Sequence, residues 1–432
     1  MTPPNVETAE SWAIPRLGAA RRVAALDAWS AFCTSRALVW GAGMAAVLVF
    51  GWFPETSARL DPLYTTLPFD DPFANLLAAP AARFDSAWYL AISEHGYDVS
   101  GRAAFFPLFP ALTAAGGAVL GSPLIAGIAI SSVSSLGAMY LLHRLVTLDF
   151  DAEVARTTIW IVALFPSALV LSAVYTEALF LALSIGSVYA ARLGRWQLAG
   201  ILGGLAAASR SGGLILLAPL LVIYFYGPRA DRPGREIGGG LVPRHPPRAD
   251  LLWLLVGVPA GLLAYVGDLA VATGDPMAAF DAQQIWHRNV VPLGGIALGI
   301  WSALSGGFEL LVPGVGRPAS AVEHTTPEVL ALRDIALCGF MLAAFWLLTE
   351  SRRRLPAAYT AYALTGLALP LSVPASGYAL MSLPRFMFVL FPLWIALALW
   401  AIERGRVRSV LWGLAAMLVA CSALFSTWSW AP

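Results

Sequence analysis

Long uncharged runs separated by short arginine-bearing stretches set the pattern of this chain. A helix that crosses a bilayer needs roughly 20 mostly apolar residues. Such runs fall at about 37–53, 124–143, 157–173, 176–190, 251–267, 335–349, 356–373, 386–402 and 409–427. The stretch 197–227 is too long for one helix and is broken by Arg210-Ser211-Gly212-Gly213, which predicts two short helices meeting at a polar turn. Eleven crossings result. Residues 1–36 are polar enough for a cytoplasmic lead-in, and the first span is expected to be retained rather than cleaved.

One apolar run, 105–119, decides the topology. If it lies in the outer leaflet at the end of the first loop, 19 of the 27 arginines fall on inner segments. Only Arg59, Arg83, Arg102, Arg210, Arg288, Arg317, Arg333 and Arg385 then face outward. That bias favours a cytoplasmic N-terminus and an external C-terminus. If 105–119 crosses instead, the Arg144/Arg156 and Arg192/Arg195 loops move outside and the asymmetry weakens. The Pro/Gly/Arg-rich segment 228–249 reads as a cytoplasmic linker between two membrane modules, 37–227 and 250–432. Two outer segments, 54–104 and 273–331, are far longer than turns, and loops of that length are usually functional.

Composition agrees with the pattern. Hydrophobic residues make up 58% of the 432 and charged residues only 12%, half the usual share for a soluble domain. The chain reads as an all-α polytopic membrane protein. Every basic residue is Arg, and the formal charge of +1 gives no bias toward nucleic acid. Three cysteines, Cys33, Cys338 and Cys421, form no CxxC pair, and the five histidines show no paired metal spacing. The pairs Gly203-Gly204 and Gly212-Gly213 suit close helix packing better than a nucleotide cradle.

Candidate chemistry clusters toward the outer side. In the first loop Asp85, Trp88, Tyr89 and Ile92 recur at i, i+3, i+4 and i+7, which predicts an amphipathic helix lying flat on the membrane surface. Asp85 is either its N-cap or a catalyst. Glu177 is the only charge between 157 and 191. An acid at such depth costs about 2.5 to 3.5 kcal/mol unless a polar cavity or the water boundary receives it; a solvated hairpin turn would do as well. Arg210 poses the same question on the next hairpin and can neutralise Glu177 or an anionic substrate. Arg385 can hold a phosphate bidentately or snorkel to the interface. Gln283, Gln284, Trp286, His287 and Arg288 in the second loop can stack on a sugar ring and bond its hydroxyls, or belong to an interfacial helix.

Several strings, read together, resemble one family. They are Phe84-Asp85-Ser86-Ala87-Trp88-Tyr89-Leu90 with Gly96-Tyr97, Phe105-Phe106-Pro107-Leu108-Phe109-Pro110, Phe165-Pro166 through Tyr175-Thr176-Glu177, Ser209-Arg210-Ser211-Gly212 and Leu383-Pro384-Arg385-Phe386. In this order, over about 83–400, they look like the GPI mannosyltransferase II (PIG-V-like) family of GT-C integral-membrane glycosyltransferases. The order of acids and hairpin is also similar to the catalytic subunit of oligosaccharyltransferase. An all-Arg, Ala/Gly-rich chain suggests a bacterial member, so the GPI acceptor does not carry over.

The resemblance implies a GT-C fold and transfer of a sugar, expected to be mannose, from a polyprenyl-phosphate donor to an acceptor at the extracytoplasmic face of the plasma membrane. Asp85 would act as general base in an inverting reaction, and Glu177 would position a substrate. Arg385 and Arg210 would hold the donor phosphate, with Trp88, Tyr89 and Tyr175 around them and Gln283, Trp286, His287 and Arg288 above. Membrane lipids and the lipid-linked donor are the expected partners, and no metal or separate cofactor is expected. The competing class is a transporter or lipid-sugar flippase, which would place its charges nearer mid-membrane between inverted repeats.

Overall fold

The computed structural model describes residues 13–52, 66–97, 100–231, 245–312 and 326–429, and the described residues are helical throughout apart from turns and isolated bridges. Parts of both expected outer loops and of the linker 228–249 lie outside them. The first helix, α1 (Ala13–Phe50), is unbroken from the expected lead-in through the first span. The first-loop helices are α2 (Pro72–Ala78), α3 (Asp85–His95) and α4 (Leu108–Leu120). The N-terminal module continues with α5 (Pro123–Val146), α6 (Ala152–Leu164), α7 (Glu177–Arg192), α8 (Trp196–Ser209) and α9 (Leu217–Tyr226). The C-terminal half carries α10 (Leu252–Thr273), α11 (Ala278–Ala282), α12 (Gly294–Leu311), α13 (Pro327–Arg354), α14 (Ala357–Leu371), α15 (Leu383–Phe388), α16 (Phe391–Glu403) and α17 (Val407–Ser426).

Among the described residues six helices are long and apolar enough to cross a membrane, α1, α5, α10, α12, α13 and α17. The chain is a multi-pass membrane protein. A seventh crossing arises if α6 and the 3-10 segment Pro166–Ser172 count as one span, although an 82° bend separates them. The sequence suggests a continuous run at 157–173; Pro166 ends it, because the residue before a proline is pushed out of helical backbone and Phe165 is extended, with ψ 144°. The other expected crossings fall on α7, α8, α9, α14 and α16, of 16, 14, 10, 15 and 13 residues. Short helices survive at membrane depth where their ends meet protein rather than lipid. The eighteen-residue α12 departs from the expected irregular loop 273–331. In contrast, the thirteen residues of α4 reach only about 20 Å, short of a roughly 30 Å core.

The expected polar turn in 197–227 is present. Arg210 is extended (φ −158°, ψ 150°) between α8 and the 3-10 segment Ser211–Leu216. A Cβ at Gly204 or at Gly261 of α10 would run into the partner's backbone, so α8 and α10 approach as closely as small residues allow. Two apolar cores result. The larger joins the spans and includes Tyr175, and the smaller gathers Tyr89, Leu90, Ile92, Phe105, Phe109, Val174 and Tyr265 under the first loop.

The hairpin geometry gives the molecule two polar ends. α7 runs from Glu177 to Arg192, about 24 Å, and α8 returns so that Arg210 comes back beside Glu177. At the far end Arg192 Nη2 donates to Asp149 Oδ1 at 2.7 Å and Nη1 to Tyr359 Oη at 2.9 Å. There the Arg229 guanidinium lies 4.3 Å from the Trp196 ring and pairs with Asp231.

Candidate active site

Both acids stand at the start of a helix, where the exposed amide groups favour negative charge. Asp85 is the first residue of α3, yet it is not the N-cap: that place belongs to Phe84, and no side chain caps the helix. The carboxylate of Asp85 turns instead toward Arg385, whose Nη2 is 2.7 Å from Asp85 Oδ2. Nor does α3 lie as an amphipathic surface helix, because Ser86, Ala87, Tyr89, Leu90, Ala91 and Ile92 are all buried. The rings of Phe105, Phe109 and Trp286 pack against its Trp88 and Tyr89.

Glu177 opens α7 and is reached from two sides. Arg385 Nε stands 2.9 Å from Glu177 Oε1, and Arg210 Nη1 stands 2.5 Å from the same oxygen. The side chain of Glu177 is 1% exposed, whereas that of Asp85 is 23% exposed. Asp85 is thus the more open of the two acids, and Glu177 is enclosed with its two arginines.

Tyr175 ties these parts together. Its hydroxyl donates to the Arg83 carbonyl and accepts from the Asp85 amide, each at 3.2 Å, while the Arg385 guanidinium carbon lies 5.2 Å from its ring centroid. Tyr89 shares a hydrogen bond of 3.2 Å with Thr176. Burial, and next the charge of Glu177, pushes the Tyr89 phenol upward, so it keeps its proton at neutral pH.

The C-terminal half contributes Arg385 and Arg288 through backbone pairing of two loops. Val291 N donates to Ser372 O at 2.9 Å, Asn289 N to Pro374 O at 3.2 Å, and Ser376 N to His287 O at 2.9 Å. Arg288 thereby comes to 5.4 Å from the Phe386 ring, which Arg210 and Arg385 approach to 5.7 and 5.9 Å. Burial, with Arg385 as a second cause, lowers the Arg288 guanidinium to about 10, and it stays charged at neutral pH. Three guanidinium groups thus surround one phenyl ring, with two carboxylates to balance them.

The expected residues divide into two groups. Asp85, Glu177, Arg210, Arg385, Tyr175 and Tyr89 are brought together, with Arg288 at the edge. Trp88 and Trp286 serve packing: Trp88 stacks on Phe105 at 5.7 Å and meets the edge of Trp286 at 5.8 Å. Through these ring contacts the two tryptophans join the first outer loop to the second. Among the described residues Gln283 and His287 act through the backbone, their carbonyls accepting from Arg288 N and Ser376 N. Phe386 and Arg83 were legible only as neighbours of Arg385 and Asp85; nothing in their spacing marks them as part of a site.

Comparison with known proteins gives the same direction. Residues 47–225 match the family described as Mannosyltransferase (PIG-V). The GPI alpha-1,6-mannosyltransferase 2 of Rattus norvegicus is 32% identical over 162 residues, 35% of this chain and 33% of that protein. The GPI mannosyltransferase 2 of Yarrowia lipolytica is 37% identical over 95 residues, 22% of this chain and 27% of that protein. The chain thus spans about a third of the length of the curated relatives it matches. Among solved structures, the apo oligosaccharyltransferase of Archaeoglobus fulgidus aligns over 90% of this chain and 56% of its own, at 14% identity and a TM-score of 0.43. Asp85, Glu177 and Arg210 lie inside the segment 47–225 that matches the mannosyltransferase (PIG-V) family, and Arg288 and Arg385 lie outside it.

Proposed function

We propose that the protein is a glycosyltransferase that moves a sugar, mannose, from a polyprenyl-phosphate donor to an acceptor hydroxyl at the extracytoplasmic face of the membrane. The observation that carries this reading is the charge balance of the site: Arg210, Arg288 and Arg385 face Asp85 and Glu177, which leaves one cation in surplus for a phosphate. The match of residues 47–225 to the mannosyltransferase (PIG-V) family supports the sugar. The arginine asymmetry supports the outward orientation of the site and the cytoplasmic N-terminus.

In this reading the donor phosphate meets Arg288 first, since Arg385 and Arg210 are already paired with carboxylates. Arg385 then turns from Asp85 to the phosphate and frees the carboxylate. The acceptor oxygen attacks the anomeric carbon opposite the phosphate, Asp85 takes its proton, and the bond to the phosphate oxygen breaks with inversion. The leaving polyprenyl phosphate carries its charge away between the arginines, where preorganised cations are worth most. Glu177 holds Arg210 and the Nε of Arg385 while the Nη2 of Arg385 exchanges Asp85 for the phosphate. The lipid-linked sugar is itself the activated substrate, so the scheme needs no separate cofactor.

The test is sugar transfer by the purified full chain from polyprenyl-phosphate-mannose, scored as donor consumed and glycosylated product or free mannose formed, with Asp85→Asn beside wild type. Turnover in wild type and its loss in the variant is the expected result. An inert wild type, or a variant as active as wild type, overturns respectively the donor or the base.

A further inference from the structure

Two residues before the reactive acid stands a side chain the proposed mechanism does not use. Arg83 is 0% exposed, a whole guanidinium sealed inside the protein. Its Nε donates to Ser426 O and its Nη1 to Ala82 O, both at 3.1 Å. Its guanidinium carbon lies 5.1 Å from the Trp428 ring and 5.6 Å from the Trp52 ring. Ser426 is the last residue of α17, so Arg83 occupies a helix C-terminus, where carbonyls lack intrahelical partners and a cation is favoured.

Phe84 follows with φ 54° and ψ −116°, a backbone that L side chains avoid. Such a conformation persists where the surroundings over-determine it. Here they are the Phe425 ring at 5.6 Å and the Trp428 ring at 5.3 Å. The twisted residue is the N-cap of α3, and the residue after it is Asp85. From the other side the Tyr175 hydroxyl bridges the Arg83 carbonyl and the Asp85 amide.

We infer that Arg83 and the segment Phe425 to Trp428 form a clasp that sets the direction of the Asp85 carboxylate. The clasp rests on the reading of Asp85 as the general base. Arg83 is a positioning residue: it pins the turn, the turn twists Phe84, and the twist delivers the carboxylate of Asp85 to Arg385. The end of the last helix thereby controls a group in the first outer loop.

The experiment compares Arg83→Met, Arg83→Lys and Trp428→Leu in the purified full chain, with polyprenyl-phosphate-mannose as donor. Misplacing a reacting group by about 1 Å can cost on the order of a hundredfold. Arg83→Met should lower kcat about 10- to 100-fold with the donor KM little changed, and Arg83→Lys, which still reaches Ser426 O, should recover most of it. Trp428→Leu keeps Arg83 and should give the same pattern, about 3- to 10-fold. Wild-type turnover with unchanged kcat in Arg83→Met and Trp428→Leu, or loss without rescue by lysine, overturns the clasp. An inert wild type would instead overturn the proposed function. The clasp is then judged by a thermal-stability cycle of Trp428→Leu against Asp85→Asn: coupled effects support it, and additive ones refute it.

Discussion

Arg385 Nη2 lies 2.7 Å from Asp85 Oδ2 and so joins the C-terminal half of the chain to its first outer loop. The same guanidinium reaches Glu177 with its Nε at 2.9 Å. One arginine therefore holds a partly exposed acid and a sealed acid at once.

Asp85→Asn keeps the shape of the side chain and removes both the proposed base and the negative charge facing Arg385. A positioned general base contributes roughly 10²- to 10⁴-fold, so kcat should fall by about that much while the protein still folds. Single-turnover transfer from polyprenyl-phosphate-mannose measures it, and a loss smaller than about tenfold would remove Asp85 from that role.

Glu177→Gln leaves Arg210 without its carboxylate partner in a buried site. Removing one member of a buried pair costs about 3 to 5 kcal/mol. The variant should melt at a clearly lower temperature in detergent, and adding Arg210→Gln should restore part of the loss because the stranded cation goes too. A melting curve for each variant decides it; equal melting of wild type and Glu177→Gln would mean that the pair carries no stability.

Arg288→Gln removes the surplus cation but leaves both ion-paired arginines. Hydrogen bonds to charged groups are worth about 1.5 to 3 kcal/mol, so the donor KM should rise about tenfold or more with a smaller effect on kcat. Arg288→Lys should fall between the two, since an ammonium lacks the planar fork that matches a phosphate. Donor titration of the three proteins is the measurement.

Gly204→Val places a side chain against the backbone of α10, where the neighbouring Gly257 carbonyl leaves no room. Overpacking a core typically costs about 1 to 3 kcal/mol, and backbone yields less than side chains do. The variant should lose folded yield and melting temperature, whereas Gly137→Val on α5, where nothing stands within 4 Å, should not. The two expressed side by side make the comparison.

The sequence by itself determined the medium and most of the helices. Long uncharged runs cannot be covered by water, so the runs around α5, α10, α13 and α17 were legible from composition alone, and the break at Arg210 from its polar turn. It also singled out Asp85, Glu177, Arg210 and Arg385 as candidates, leaving open whether each caps, turns, snorkels or acts. Hydropathy did not separate α12 from the loop around it, because an apolar helix and an apolar loop segment differ in backbone bonding rather than in composition.

Tertiary structure decided which charges pair. Nothing local tells that Arg385 chooses Asp85 and Glu177, that Trp286 meets Trp88 edge-on, or that Ser426 receives Arg83. Periodicity reports the face on which a residue sits within its own helix. The partner across the bundle depends on how bent and half-length helices return, and the Phe165–Pro166 break and the extended Arg210 set that path. A helical pattern therefore fixed what each charge would cost, and the packing of the hairpins fixed what compensates it.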